Sequence, residues 1–300
     1  MTAKVILNPY SNRWKAREHW PQVKEMLHKY RIEFELAISE KRGQITELTA
    51  KAAQQGYSPI LIAGGDGSMG EAVNGLAQSA KDLKQPIGPL GIIPLGTAND
   101  LVHNLRYPLE LEQAIKTIAA GKTRQMDICQ VNKQYFVNNS AIGLEPTITI
   151  IQQEMVWAKG ILRYLLAALR GILRNPQWQA ELEWDGGSYR GPISLVSVGN
   201  GAVTGGLFYM TPHADLFDGK LTFVHGFRPT RLEILRMLPR TMKSGPGSFV
   251  EMEGITEAHA TWLKVSLDKP SPAHADGEIF ATSIQEINYM ILPGRLKIIA

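Results

Sequence analysis

Along roughly the first 125 residues, apolar positions switch repeatedly between short unbroken runs and a helical period near 3.6. Lys4 to Leu7 is a short apolar run ending at Asn8-Pro9. Trp20, Val23, Leu27 and Tyr30 then recur at helical spacing, with Pro21 tolerated near the helix start. Phe34 to Ile38 predicts a second strand, and Ile45, Leu48 and Ala52 a helix that Gly56 can end. Pro59 to Ala63 predicts a buried strand, and Met69, Ala72, Val73, Leu76 and Ala77 the apolar face of the next helix. Gly91 to Leu95 follows as a strand, then Leu111, Ala114, Ile115 and Ile118 as a helix face closed by Gly121. Such alternation predicts an α/β layer built on a largely parallel sheet.

After about Arg124 the rhythm changes to short apolar runs separated by turn residues: Met126 to Val131, Tyr135 to Asn138, Ala180 to Trp184, Ile193 to Val198, Leu221 to Val224 and Trp262 to Leu267. These predict a β-rich, sandwich-like second domain. Two helical insertions interrupt it. One covers roughly Val156 to Arg174. The other opens at Thr230, where Thr230-x-x-Glu233 matches a capping box, and stops at Pro239. The expected division is residues 1–124 for the α/β domain and 125–286 for the β-rich domain, with the strand at about 287–300 able to return to the first.

Composition narrows the class only slightly. At 44% hydrophobic and 20% charged the chain is globular, and its net charge of +4 selects no partner. A single cysteine, Cys129, excludes an intrachain disulfide or a thiolate metal cluster. The N-terminus has no signal-peptide pattern, and no run reaches the ~18 apolar residues of a membrane span. The expectation is a cytoplasmic protein that visits the inner face of the membrane if its substrate is a lipid, with no nucleic-acid partner. The oligomeric state stays open, a homodimer included.

The richest segment is Gly64-Gly65-Asp66-Gly67-Ser68-Met69-Gly70-Glu71, between a buried strand and a helix. Glycines there let backbone approach a polyanion, and the helix start offers unpaired amides, so phosphate binding is its natural use. Gly65-x-Gly67-x-x-Gly70 also satisfies the dinucleotide fingerprint, but no acidic residue follows about 20 positions on to hold a ribose. This loop carries no Gly-Lys-Ser/Thr, so it is not a Walker A loop. A second turn, Pro94-Leu95-Gly96-Thr97-Ala98-Asn99-Asp100, follows the next strand. Asp100 is a candidate to orient that loop or bind Mg²⁺. Alone the turn reads as a helix cap; two such loops after adjacent parallel strands predict a shared ligand crevice.

With Asn74-Gly75, Asn8-Pro9, Asp127 to Lys133, Val198 to Gly201, Pro212 to Leu221 and Asp276-Gly277-Glu278 added, the sequence resembles the diacylglycerol kinase catalytic family, and within it the bacterial soluble lipid kinases, over nearly the whole chain. The resemblance implies a nucleotide-binding α/β domain joined to a β-sandwich, with the active site in the cleft between them. It implies ATP contacts from Asn8, Ser39, Gly64 to Glu71, Gly96, Thr97 and Asn99. It also implies a structural Mg²⁺ site at Asp215, Asp218 and the Lys220 carbonyl, and Glu278 as proton acceptor. Two departures stand out: Ser68 replaces the family's usual Thr and keeps its hydroxyl, and Gly70 replaces its usual Asn and loses a hydrogen-bonding side chain.

Phosphoryl transfer needs positioning, charge neutralisation and an acceptor oxygen held in line. Asp66 is the candidate to hold nucleotide-bound Mg²⁺. Glu278 is the candidate base, with Asp276 orienting it or substituting for it. Without the resemblance, Asp276-Gly277 reads as a hairpin turn and Asp215 to Lys220 as a solvated one. The leucines of Ile161 to Arg174 (Leu162, Leu165, Leu166, Leu169 and Leu173), opposite Arg163, Arg170 and Arg174, read first as the core face of a soluble helix and second as an interfacial helix. Arg228, Arg231, Arg236, Arg240 and Lys243 form a second candidate membrane-facing set. The leading expectation is an ATP- and Mg²⁺-dependent kinase of diacylglycerol or a relative such as phosphatidylglycerol or a sphingoid base. Its rivals are an NAD kinase-like enzyme and a non-catalytic nucleotide- or lipid-binding regulator.

Overall fold

Strands covered on both faces must be apolar throughout, and the first half of the chain supplies them. In the computed structural model, which describes residues 2–82, 84–155 and 160–300, β1 (Ala3–Leu7), β2 (Phe34–Ile38), β3 (Ile60–Gly64) and β4 (Ile87–Pro94) pair in parallel in the order β2-β1-β3-β4. The connecting helices are α1 (Lys15–Lys29), α2 (Gln44–Gln54) and α3 (Asp66–Ser79). Side-chain alternation splits β1 between two cores: Val5 and Leu7 pack with Val23 and Leu27 of α1, while Ile6 packs with Ile45, Met69 and Val73 of α2 and α3. The short α4 (Asp100–Asn104) and then α5 (Leu111–Ala120) follow. Gly121 closes α5 in the left-handed conformation, as expected from its position.

The second half is antiparallel. β5 (Thr123–Val131), β6 (Gln134–Phe136) and β7 (Asn139–Gly143) lead into α6 (Leu144–Glu154) and α7 (Gly160–Arg174). Then come β8 (Trp178–Trp184), β9 (Gly187–Ile193), β10 (Leu195–Gly199), the small β11 (Val203–Thr204) and β12 (Phe208–Tyr209), and β13 (Leu221–Gly226). After α8 (Arg231–Met237) the chain ends in β14 (Ile255–Ala260), β15 (Trp262–Ala275) and β16 (Glu278–Ile299). The strand path β14-β13-β10-β7-β15-β16 joins directly to β4. β16 pairs antiparallel with β15 near its start, and its last residues, Leu296 and Ile298, pair parallel with β4. An α/β layer with a largely parallel sheet is thus joined to a β-sandwich-like half by one shared strand.

Several elements differ from the sequence expectations. The apolar run Ile193 to Val198 is two strands meeting at Ser194, whose amide donates to Gly226 O at 2.8 Å. β4 starts before its apolar run, at Ile87. α6 and β7 were not anticipated, because Asn139 to Gly143 is short and polar at its start. Of the expected insertion at Val156 to Arg174, positions 156–159 lie outside the described residues. On α7 the described buried residues are Ala167, Ala168, Gly171 and Ile172; of the leucine stripe Leu166 packs against the core, while Leu162, Leu165, Leu169 and Leu173 are exposed, so the stripe as a whole is not the core face. Close packing explains the choice: a Cβ on Gly171 would stand 2.7 Å from Ile148 Cγ1 of α6, an approach only small residues allow. The capping box at Thr230 and Glu233 is present as expected.

Candidate active site

The glycine loop is the turn where β3 gives way to α3. Gly64 ends the strand, Gly65 is extended, and the Ser68 and Met69 amides both donate to the Gly65 carbonyl. The second turn lies directly against it. A Cβ on Gly65 would stand 2.8 Å from Gly96 Cα, and one on Gly96 2.5 Å from Gly65 Cα, so the two backbones touch only because both residues are glycine. Asn99, left-handed at φ 52°, fixes this turn by accepting the Gly96 amide on Oδ1 at 3.1 Å. Asn8, just past β1, donates from Nδ2 to Ser68 Oγ at 2.9 Å.

These turns wall one cavity beyond the carboxyl ends of β1 to β4, lined by Asn8, Ser39, Gly65, Asp66, Gly67, Ser68, Glu71, Gly96, Thr97 and Glu278. Lys41 and Arg42 supply its positive charge, and the sequence reading missed both; a basic pair in the loop after β2 was the available signal. Three residues named from sequence do other work. The Met69 side chain is core, at 2% exposure. The Glu71 carboxylate accepts the amides of Gly43 and Ile45 at 3.0 and 3.1 Å, holding the start of α2. Gly70 faces away from this cavity, toward Asp276.

A second cavity lies between the α/β and β-rich halves, and Asp66 and Thr97 line it as well. Asp66 Oδ1 accepts the Leu101 amide at 3.0 Å and Asn138 Nδ2 at 3.3 Å. Asp100 accepts the amides of Gly205 and Gly206 at 2.8 and 2.6 Å. Asp276 sits in the β15–β16 hairpin turn with φ 46°, followed by Gly277 at φ 78°, and its carboxylate accepts the amides of Val137, Asn138 and Asn139 at 2.9, 2.8 and 3.2 Å. The turn predicted from Asp-Gly is therefore also a clamp on the chain entering β7. Burial pushes Asp276 up to about 7, with the Asp66 charge adding to it against the lowering amides. Burial, then Asp66, likewise pushes Asp100 up to about 7, and burial raises Asp66.

Glu278 stands apart from that trio. It lines the first cavity, not the second, pairs with Arg42, and packs over Gly67, where a Cβ would meet its Oε1 at 3.3 Å. On the far wall of the second cavity, Glu145 accepts Asn139 Nδ2 at 2.8 Å and Ser197 Oγ at 3.1 Å, and meets His274 Nε2 at 3.2 Å. Nothing local in the sequence marks either residue, Glu145 being a lone carboxylate in an apolar stretch.

Asp215 and Asp218 each spend one oxygen on a turn amide, Phe217 at 3.0 Å and Lys220 at 2.9 Å. Asp127 lies beside them, accepting the Gly219 and Gly294 amides; burial raises its carboxyl, and the charges of Asp218 and Asp215 add to that. Among the described residues no three His, Cys, Asp or Glu side chains form a ready metal cage. The oxygen-only donor set of two carboxylates and the Lys220 carbonyl nevertheless suits a hard cation. No helix among the described residues is long and apolar enough to cross a membrane.

Residues 2–131 match the family described as diacylglycerol kinase catalytic domain, and residues 139–300 match the YegS C-terminal NAD kinase beta sandwich-like domain. The chain belongs to the diacylglycerol kinase family. A diacylglycerol kinase of Bacillus subtilis strain 168 is 29% identical over 278 residues, 92% of this chain and 89% of that protein. One from Staphylococcus saprophyticus is 30% identical over 226 residues, 74% of this chain and 72% of that one. The crystal structure of a diacylglycerol kinase from Bacillus anthracis strain Sterne shares the fold, with a TM-score of 0.75 at 20% identity over 99% of this chain and 96% of that one. The enzyme is a lipid kinase, which sets aside the NAD kinase and non-catalytic readings. The NAD kinase likeness resides in the sandwich type that the second match names.

Proposed function

We propose that this kinase transfers the γ-phosphoryl group of ATP to the hydroxyl of diacylglycerol or a related lipid such as phosphatidylglycerol or a sphingoid base. It would act from the cytoplasmic side as a peripheral visitor to the membrane. The observation that carries this reading is that Asp66 and Thr97 line both cavities, so a donor in one and an acceptor in the other meet at that pair. The apposed loops at Gly65 and Gly96 offer backbone to the donor's phosphates, Ser39 and Thr97 offer hydroxyls, and Lys41 and Arg42 offer charge. Mg²⁺ on the nucleotide would supply further countercharge, and Asp66, on the wall of both cavities, is the carboxylate we assign to hold it.

The acceptor must lose a proton as it attacks. Asp276 is committed to three backbone amides and serves to hold the turn that aims Glu278. Glu278 is the freer carboxylate: it pairs with Arg42, which has a competing partner once a phosphate enters. We assign it as the base: it stands on the donor side, just past Asp276 and Gly277 of the second cavity, so the acceptor hydroxyl has to reach past Asp66 into the first cavity to meet it. A second Mg²⁺ held by Asp215, Asp218 and the Lys220 carbonyl would brace the β-rich half rather than take part in transfer. The test is transfer of label from ATP to dispersed diacylglycerol by Asp66→Asn and Glu278→Gln. Both variants should lose transfer, with Glu278→Gln keeping its ATP affinity. Wild-type transfer by Asp66→Asn refutes the shared-cavity reading.

A further inference from the structure

α7 and α8 pack against each other, and each leaves leucines exposed to solvent. Leu162 and Leu173 are each 55% exposed and Leu232 is 56% exposed, with Leu165, Leu169 and Leu235 beside them. Soluble monomers rarely leave such a contiguous set uncovered. Arginines ring it: Arg170 and Arg174 flank the α7 stripe, and Arg231, Arg236 and Arg240 rise from the α8 side, all exposed. Arg163 does not join them, because its guanidinium donates to the Gln152 and Gln153 carbonyls at the end of α6.

Two further features identify the occupant. Arg228, Arg236 and Arg240 line one recess together with Glu251, Met252 and Glu253, and among the described residues the Nε and Nη2 atoms of Arg228 are buried with no hydrogen-bond partner. A guanidinium fork left unpaired suits the oxygens of a phosphate. Glu251, which accepts the Gly247 amide at 2.8 Å, and Glu253 offset part of this charge, and the three arginines against two glutamates leave the recess net positive. Directly beneath the leucine face, Ile172, Ile234 and Met237 line an apolar recess that reaches Phe208 and Glu145, both also on the wall of the second cavity. Two copies meeting through this face would bring their arginines together, so self-association is disfavoured and an anionic, apolar-cored surface is favoured.

We propose that the α7–α8 face seats the kinase on an anionic phospholipid bilayer, its leucines entering the acyl region and the Arg228–Arg236–Arg240 recess taking a lipid phosphate. This rests on the lipid acceptor proposed above, and deepens it by naming the surface through which that acceptor arrives. The test uses the full chain, without nucleotide, and co-sedimentation with vesicles of phosphatidylcholine alone or with added phosphatidylglycerol. Wild type should prefer the anionic vesicles. Leu165→Gln/Leu169→Gln should lower partition about tenfold or more, because two apolar side chains leave the acyl region. Arg236→Glu/Arg240→Glu should abolish the anionic preference. Turnover of a short-chain diacylglycerol below its micelle concentration should stay at wild-type level in the leucine variant, showing an intact catalytic cleft. Wild-type vesicle binding by the leucine variant overturns the proposal. So does a wild type indifferent to anionic lipid, or a wild-type dimer that the leucine substitutions split. Anionic vesicle binding that needs these leucines, with no lipid phosphorylated, would support the docking surface while refuting the proposed acceptor.

Discussion

Gly70 sits inside α3, where alanine is ordinarily favoured over glycine by about 1 kcal/mol. At an open helical position Gly70→Ala would stabilise the protein. Here the new Cβ would stand 2.9 Å from Asp276 Oδ2, and that oxygen already accepts the Val137 amide at 2.9 Å. Asp276 has a short side chain whose carboxylate is pinned by three amides, so it cannot retreat without releasing one. At pH 8, where Asp276 is ionised, losing a hydrogen bond to this charged acceptor costs about 1.5–3 kcal/mol, which outweighs the helix term and leaves a net destabilisation of about 0.5–2 kcal/mol. The assay is urea unfolding of wild type, Gly70→Ala, Asp276→Ala and the double variant. With Asp276 truncated the obstacle is gone, so Gly70→Ala should turn stabilising by up to about 1 kcal/mol in that background. Equal effects of Gly70→Ala in both backgrounds would refute the claim that this glycine exists to make room for the Asp276 clamp.

Glu278→Gln should lower kcat by about 10²–10⁴-fold with the KM for ATP little changed; a kcat within a few-fold of wild type removes Glu278 as the base. The pH dependence of stability carries a definite sign. Asp276 and Asp100 are raised to about 7 in the fold, so the stability tied to their neutral forms is present at low pH and lost as pH rises through about 7. Between pH 6.5 and 8, without nucleotide, the free energy of unfolding from urea titration should fall, by on the order of 1 kcal/mol for each group; a free energy that rises over this window contradicts the buried-carboxylate picture. Mg²⁺ alone should raise the wild-type unfolding midpoint and leave Asp218→Ala unmoved. An equal shift in both would count against that cation site.

Which features were legible in the sequence follows from how local their causes are. The strands and helices up to Gly121 repeat their period over enough residues to be read singly, and the loops at Gly65 and Gly96 announce themselves by composition. That the two loops touch depends on the pairing of β3 with β4, yet their placement after successive strands was enough to predict a shared crevice. The Asp276 clamp was not legible, because it joins residues 137–139 to the far end of the chain and in sequence looks like an ordinary Asp-Gly turn. Glu71 resembled a ligand-binding residue for the same reason: its partners, Gly43 and Ile45, come from another helix. On α7 the leucine period was visible, but which side is buried was settled by the small residues Ala167, Ala168 and Gly171, which let α6 approach. A hydrophobicity pattern ranks leucine above alanine and so points to the wrong face.

The central claim is that the donor and the lipid acceptor meet at Asp66. Its most direct test is the transfer of label from γ-labelled ATP, with Mg²⁺, to a panel of dispersed diacylglycerol, phosphatidylglycerol and sphingoid base, with NAD in a parallel tube. The account predicts label in one or more of the lipids, none in the NAD tube, and none anywhere with Asp66→Asn. Label in NADP, or no label in any lipid from folded protein that binds ATP, would contradict it.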